Sequence, residues 1–290
     1  MGDGDDQNWA ELYRDSLAKC PYGHAFFEPP ALGPSFGLGK VGYMDDQGHW
    51  RLIIDLADKK ALTDGKYTAF RFPVEADPDV QTWGPVKSAN VAETKITVSG
   101  EADAAALGIP VGFGGAVEYE STSNFGAVLM SDVDVEVTGY DVRGPFIKWL
   151  EDNAATIRKN HKREIGSRTL HAVIGIYAST DIFIHVMSDR GRKVVVGFKA
   201  AAPGAASAEL GTTWARSSVG SHWRRVNKKD EKVKKAMFAL SVTLTFGIFG
   251  RKEVRGSSKT KLLELKDPEG QDSCEALIDS NGKFPGEIGA

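Results

Sequence analysis

Arg168-Thr169-Leu170-His171-Ala172-Val173-Ile174-Gly175-Ile176-Tyr177-Ala178-Ser179 opens the stretch that decides the fold, and Thr180 to Lys199 completes it. Leu170, Ala172, Ile174 and Ile176 alternate with His171, Val173, Gly175 and Tyr177, a period of two that suits a strand and not a helix. After Ser179-Thr180 the pattern resumes, with Ile182, Ile184 and Val186 against Asp181, Phe183 and His185. Ser188-Asp189-Arg190-Gly191 supplies turn chemistry, and Gly191 is free to take positive φ. Val194 to Phe198 returns as a β-branched run, so the spacing predicts a long antiparallel hairpin. Its strands are apolar on one face and mixed on the other. Such a hairpin fits an ordinary sheet with helices over one face. It also fits strands able to sit with one face in lipid.

Just before it, Pro145 at a first helical position predicts a helix over 145–163. Phe146, Trp149, Leu150, Asn153 and Ile157 form its inner face, and Arg158, Lys159, His161, Lys162 and Arg163 complement the dipole at its end. Upstream, Val133, Val135 and Val137 alternate with Asp132, Asp134 and Glu136, a strand wet on one side. Phe125–Met130, Val117–Tyr119 and Thr94–Ser99 read as further strands, and a small-residue stretch from Glu101 to Gly115 separates the last two. The glycines of that stretch lack the endings of a phosphate loop. Gly39–Tyr43 and His49–Ile54 predict a hairpin turning at Asp46–Gly48, whose aspartates lack the spaced ligands of a calcium loop. Asn8-x-x-Glu11 is a capping box opening a helix to Lys19, which Pro21 ends.

Downstream, Ala200–Gly211 is small, Thr212–Ser218 reads as a short strand, and Arg224–Lys235 reads as a solvated, charge-dense loop and the best internal boundary. Leu240, Val242, Leu244, Phe246 and Ile248 then alternate with Ser241, Thr243, Thr245 and Gly247. The expected fold class is α+β, a twisted, mainly antiparallel sheet flanked by the 8–19 and 145–163 helices.

Charge is unevenly spread. Residues 1–142 carry 10 Lys/Arg against 23 Asp/Glu, whereas 143–237 carry 19 against 8. A basic segment of that size asks for an anionic partner, nucleic acid or an acidic membrane surface. The basic residues cluster on a helix end and a loop without the stacking aromatics of an RNA-binding sheet, which argues against nucleic acid. Cys20 and Cys274 have neither metal nor disulfide spacing, the first residues are acidic where a signal peptide is basic, and Asp6 stands where myristoylation wants Ser or Thr. No apolar run reaches the ~20 residues of a membrane-spanning helix, so a cytoplasmic protein is expected. The six histidines are scattered, His171 and His185 on neighbouring strands make only a weak metal pair, and no nucleophile motif is present. Neither enzymatic chemistry nor a cofactor is expected.

Three sets of residues carry a resemblance. They are Gly39-Lys40-Val41-Gly42-Tyr43-Met44-Asp45 with Gly48-His49-Trp50, Gly126–Met130, and Phe146–Leu150 with Asn153. In this order they resemble the pore-forming domain of the gasdermin family, the fungal cell-death (heterokaryon incompatibility) members most closely. The resemblance covers roughly residues 5–250, and the 170–186 and 193–198 strands match the family's second membrane hairpin in position. It implies a cytosolic precursor activated by proteolysis, whose released domain binds acidic phospholipids of the plasma membrane, oligomerises with copies of itself and inserts two hairpins per subunit as a barrel. The implied pore strands come from 91–130, with Ile96, Val98, Val117 and Tyr119, and from 169–198, with Ile174, Ile176, Ile184, Val186 and Val195. The implied acidic-lipid contacts are Arg14, Lys19, Arg158, Lys159, Lys162 and Arg163. Animal members carry a large helical inhibitory domain, but only 55 residues follow Lys235 here. The expected division is therefore 1–225 as pore-forming domain, 226–238 as protease-sensitive loop and 239–290 as a short autoinhibitory tail. The loop lacks a caspase-type tetrapeptide, so Met237 and Phe238 are the expected anchors for a protease of hydrophobic preference.

Overall fold

The computed structural model describes residues 8–110, 113, 115–198, 214–217, 223–228 and 231–246, together with strands at 261–266 and 273–280. Ala200–Gly211, Ile248 and the ends of the Thr212–Ser218 strand lie outside these residues. The strands are β1 (His24–Ala25), β2 (Lys40–Met44), β3 (Trp50–Asp55), β4 (Asp79–Gln81), β5 (Val86–Lys87), β6 (Val91–Thr97), β7 (Gly115–Ser121), β8 (Gly126–Ser131) and β9 (Val135–Gly139). They continue as β10 (Leu170–Ser179), β11 (Ile182–Met187), β12 (Lys193–Phe198), β13 (Trp214–Arg216), β14 (Arg224–Arg225), β15 (Lys235–Phe246), β16 (Lys261–Lys266) and β17 (Ser273–Ser280). The helices among the described residues are α1 (Trp9–Leu17), α2 (Lys59–Asp64), α3 (Glu101–Leu107) and α4 (Gly144–Ile165). The fold is mixed α+β, and every strand pairing among the described residues is antiparallel.

The largest sheet runs β16-β17-β15-β10-β2-β3, with β9 and β4 continuing beside the second half of β10. α4 covers one face. Phe146, Trp149, Leu150, Ala154 and Ile157 pack with Leu170, Ala172, Ile174, Leu240, Val242 and Leu244 in the main core. Phe26 and Phe36, from the loop after β1, cover the other face against Val173, Ile176, Ala178 and Ala239. β10 and β15 are therefore buried on both sides. Burying a Leu or Ile side chain contributes roughly 1.5–3 kcal/mol, so these two strands hold the body together.

Asn153, on the inner face of α4, is 1% exposed and fully occupied. Its Oδ1 accepts from the Thr68 backbone N–H at 2.8 Å, and its Nδ2 donates to Thr68 Oγ1 and the Trp149 carbonyl. α1 begins as read from the sequence, with Asn8 Oδ1 accepting from the Glu11 N–H at 3.2 Å. The β2–β3 hairpin also turns where expected, at Gly48 with φ +80°. Asp45 serves that turn, accepting from the N–H groups of Gln47 and His49 and from Arg51.

Three expectations are corrected. The 170–198 stretch is not a hairpin. β10 pairs with β15, β2 and β9, whereas β11 pairs with β8 and β14, and β12 with β7 and β13. The chain crosses from the large sheet at Ser179–Ile182, because strands apolar on both faces bury more when each sits between two neighbours. Second, β10 does not keep one phase. Register shifts at Val173/Gly175 and Tyr177/Ala178 put Ile174 and Tyr177 in the main core and Ile176 on the opposite face. Third, the small-residue stretch contains α3, opened by Glu101 and Asp103 in its first turn and closed by Gly108 at φ +65°. Alanines are the best helix formers, and Gly108 closes the helix in the left-handed conformation.

Candidate functional site

β7–β8 and β11–β12 form one ribbon. Gly115–Glu120 pairs with Phe198–Lys193, and Gly126–Ser131 pairs with Met187–Ile182, so the same register runs from end to end. Between the halves the ribbon bends. Gly191 takes φ +80° and its N–H donates to the Ser121 carbonyl at 2.8 Å, while the Ser121 N–H donates to the Arg192 carbonyl. Ser121 and Ser123 hydroxyls donate to the carbonyls of Ser123 and Phe125, tying the opposite side of the bend locally. The two halves close on each other like a jaw: Val117, Tyr119, Val194 and Val196 meet Val128, Met130, Phe183 and Met187. A strand that kept its phase would put Val117 and Tyr119 on one face with Ala127 and Leu129. The bend shifts that phase.

β6 widens one half, pairing with β7 from Val91↔Ser121 to Thr97↔Gly115. The outer face of this half is covered by α3, whose Ala104 and the following Ile109 and Phe113 pack on Val98, Ala116, Ile96 and Val195. At the bottom of β7 the fit is close. A Cβ on Gly115 would stand 2.3 Å from the Phe198 ring, so any larger residue there must displace that ring.

The proposed strand residues therefore scatter. Ile96, Val98 and Val195 lie under α3; Val117 and Tyr119 lie inside the jaw; Ile184 lies in the main core with Val186 packed against it. Ile174 and Ile176 belong to β10, on opposite faces.

The basic residues fall in two groups. Lys159, Lys162 and Arg163 are exposed and Arg158 is half-buried at the end of α4. Among the described residues these four make no ion pair. α4 kinks at His161, whose Nε2 lies 2.9 Å from the Tyr67 hydroxyl. Arg14 is different: Asp15 and Glu11 hold its guanidinium at 2.8 and 3.4 Å. Lys19 is exposed just past α1.

The cleavage anchors are not on an accessible loop. Met237 and Phe238 are 1% and 0% exposed within β15, where Phe238 pairs with Tyr177 on one side and Ala25 on the other. The Met237 carbonyl also accepts from the Phe26 N–H at 3.0 Å. The sequence signal misled because apolar residues after a charged loop equally mark the start of a buried strand. Nor is the loop free at its start. Arg224 and Arg225 pair with β11, Arg225 holds Asp181 at 2.7 Å, and buried Asn227 donates to the Val233 carbonyl at 2.9 Å. Glu231 accepts the Lys228 N–H, which with Lys235 nearby holds its carboxyl below the usual range. Lys232, Val233 and Lys234 are exposed, Val233 to 42%.

His171 does not meet His185. It faces His24 of β1, with ring centroids 5.1 Å apart, and its Nδ1 lies 3.0 Å from the Ser241 hydroxyl. Sequence reasoning passed over His24, since nothing local to β1 announces what β10 brings to it. Among the described residues no group of three His, Cys, Asp or Glu side chains could hold a metal, and no helix is long and apolar enough to cross a membrane.

Fold and site thus define an α+β protein of antiparallel sheets with a bent two-stranded ribbon and a basic helix end. No model of a known protein family matches the chain, and no curated protein matches it.

Proposed function

We propose that the chain is a gasdermin-like pore-forming cell-death effector, a cytoplasmic precursor whose body binds acidic phospholipids of the plasma membrane, assembles with copies of itself and inserts β-strands. The continuous register of the ribbon is the observation that carries this reading. Straightened at the 122–125 and 188–192 bend, residues 115–131 and 182–198 would each be one strand. At about 3.3 Å per residue such a strand reaches about 55 Å, enough to cross a hydrocarbon layer of about 30 Å at a tilt. Restoring the phase would put Val117, Tyr119, Phe125, Ala127, Leu129, Ile184, Val186, Val194 and Val196 on one face. Glu118, Glu120, His185 and Lys193 would fall on the other, together with the apolar Val128, Met130, Phe183, Met187 and Val195, while Ser121, Ser123, Arg190 and Arg192 of the bend would join the first face. An apolar face against lipid and a polar face against water is the requirement on a barrel wall. Closing a ring then satisfies the strand edges.

The four basic groups at the end of α4 are the acidic-lipid contacts, each contributing about 1 kcal/mol near an anionic surface. β15 supports an inhibitory role for the chain after the 226–238 segment, because it occupies one whole edge of β10, and β17 in turn pairs with β15 from Val242 to Phe246. Cutting at Val233 would leave residues 234–290, the whole of β15 included, held by non-covalent contacts alone; their departure would give up the core contacts of β15 and bare the edge of β10 for assembly. Activation by a protease that takes an apolar side chain fits Val233 better than Phe238, since Val233 is the exposed one.

The test is dye release from vesicles. Full-length protein should be inert on phosphatidylserine vesicles, and protein nicked in the 226–238 segment should release dye from them but not from phosphatidylcholine vesicles. Inertness of nicked and full-length protein alike on both would end the pore reading.

A further inference from the structure

A cavity of about 440 Å³ opens between α1, β1, the β2–β3 turn and the start of β10. His24 and His171 are among its lining residues, their rings 5.1 Å apart. Both rings are walled by protein on nearly every side, yet each keeps part of its surface on the cavity. Arg14 reaches the cavity from α1.

Charged groups line the cavity beside the histidines. α1 brings Arg14 and Glu11, the β2–β3 turn brings Asp45 and Asp46, and Arg168 stands before β10. β15 brings the uncharged Ser241. Each carboxylate is already engaged: Asp45 by Arg51 at 2.7 Å, Asp46 by Arg168 at 2.7 Å, and Glu11 by Arg14. At the histidines only positive influences register. Burial holds His171 at about 4, with Arg14 adding to the effect, and His24 is held low by burial, by His171 and by Arg14. His171 meets Ser241 through Nδ1, and among the described residues its Nε2 has no hydrogen-bond partner.

We propose that this cavity binds an oxyanion group, a phosphate or carboxylate, between Arg14, His24 and His171, and that the anion enters together with protons taken up by the two imidazoles. A buried anion and two imidazolium rings are each unfavourable alone and compensate one another. Imidazolium N–H and guanidinium N–H donate to anionic oxygens in short charge-assisted bonds. Neutral histidines thus keep the site ready without the cost of buried charge. The volume suits a phosphorylated head group rather than a bare ion. This site does not depend on the pore reading, and its first test contains no membrane.

Full-length protein is titrated calorimetrically with sulfate, whose charge is constant across the range, at about pH 5.5 and pH 7.5 in buffers of different ionisation enthalpy. Binding should be at least about tenfold tighter at the lower pH, with one to two protons taken up, a linkage worth about one pKa unit or more. Equal affinity at both values with no proton uptake would overturn the proposal. Arg14→Gln and His24→Gln should each weaken binding at least about tenfold, the scale of one lost charge-assisted bond. Should a variant fail to fold, the wild-type ring resonances decide, because both imidazoles must shift to the charged form as sulfate saturates. Glycerol phosphate and phosphatidic acid vesicles then identify the source. Binding of the soluble ester supports a free metabolite, and binding of the vesicles alone supports a lipid head group. Failure of sulfate, ester and vesicles together rejects the site.

Discussion

Tyr177 and Phe238 stand opposite each other on β10 and β15, and Tyr22 packs against both, with ring centroids at 5.2 and 5.3 Å. A side chain so placed cannot enter a protease pocket unless β15 first leaves the sheet. Limited proteolysis of the folded protein should therefore nick at 231–235 while sparing the bonds around Met237 and Phe238. Mass spectrometry of the earliest fragments checks this; a first cut after Phe238 would mean that β15 opens under native conditions. Phe238→Ala should cost about 3–5 kcal/mol in urea unfolding, the usual scale for a buried aromatic.

If β15 guards the edge of β10, fastening the two together should block activity without touching the membrane surface. Val173 and Ser241 are paired across these strands. Cysteines at both positions lie within disulfide reach, since paired Cα atoms are about 4.5–5.5 Å apart. After nicking, the oxidised double variant should release no dye, and reductant should restore release. Equal release in both states would place the inhibitory contact elsewhere.

Replacing Arg158, Lys159, Lys162 and Arg163 together by Glu should abolish the preference for anionic vesicles. Wild-type binding should itself weaken as salt rises and the Debye length falls from about 10 Å at 0.1 M. Thermal stability should change little, because exposed charges contribute at most about 1 kcal/mol each. Arg14→Gln should weaken vesicle binding less, its charge being already shared with Asp15 and Glu11.

The histidine pair also sets a pH dependence of folding. In the unfolded chain His171 titrates near 6.5, whereas in the fold it stays neutral down to about 4. The unfolded state then binds more protons between these values, so stability is complete above about 6.5 and is lost as pH falls toward 4. The slope should approach about 1.4 kcal/mol per pH unit for His171. His24, also lowered, adds in the same direction. Chemical denaturation in chloride buffers measures the slope; His171→Gln should flatten it, and sulfate should flatten it too if the cavity holds anions.

Sequence by itself determined the local structure. The helix opened by Pro145, the capped start of α1, the β2–β3 turn and the one-side-wet β9 all stand where residue spacing put them. Each depends on interactions within one or two turns of chain, which a sequence displays directly. The exposed basic end of α4 was legible for the same reason. Tertiary structure alone decided which strands pair, because backbone hydrogen bonds carry no residue identity. β10 chose β15 over β11 since a strand apolar on both faces gains most from a central place in the sheet. The phase changes in β10 and in the ribbon were hidden too, as a single extra residue moves every later side chain to the other face. Phe238 looks like a protease anchor in sequence because nothing local shows the burial of β15, and nothing near His24 announces a partner that lies far along the chain.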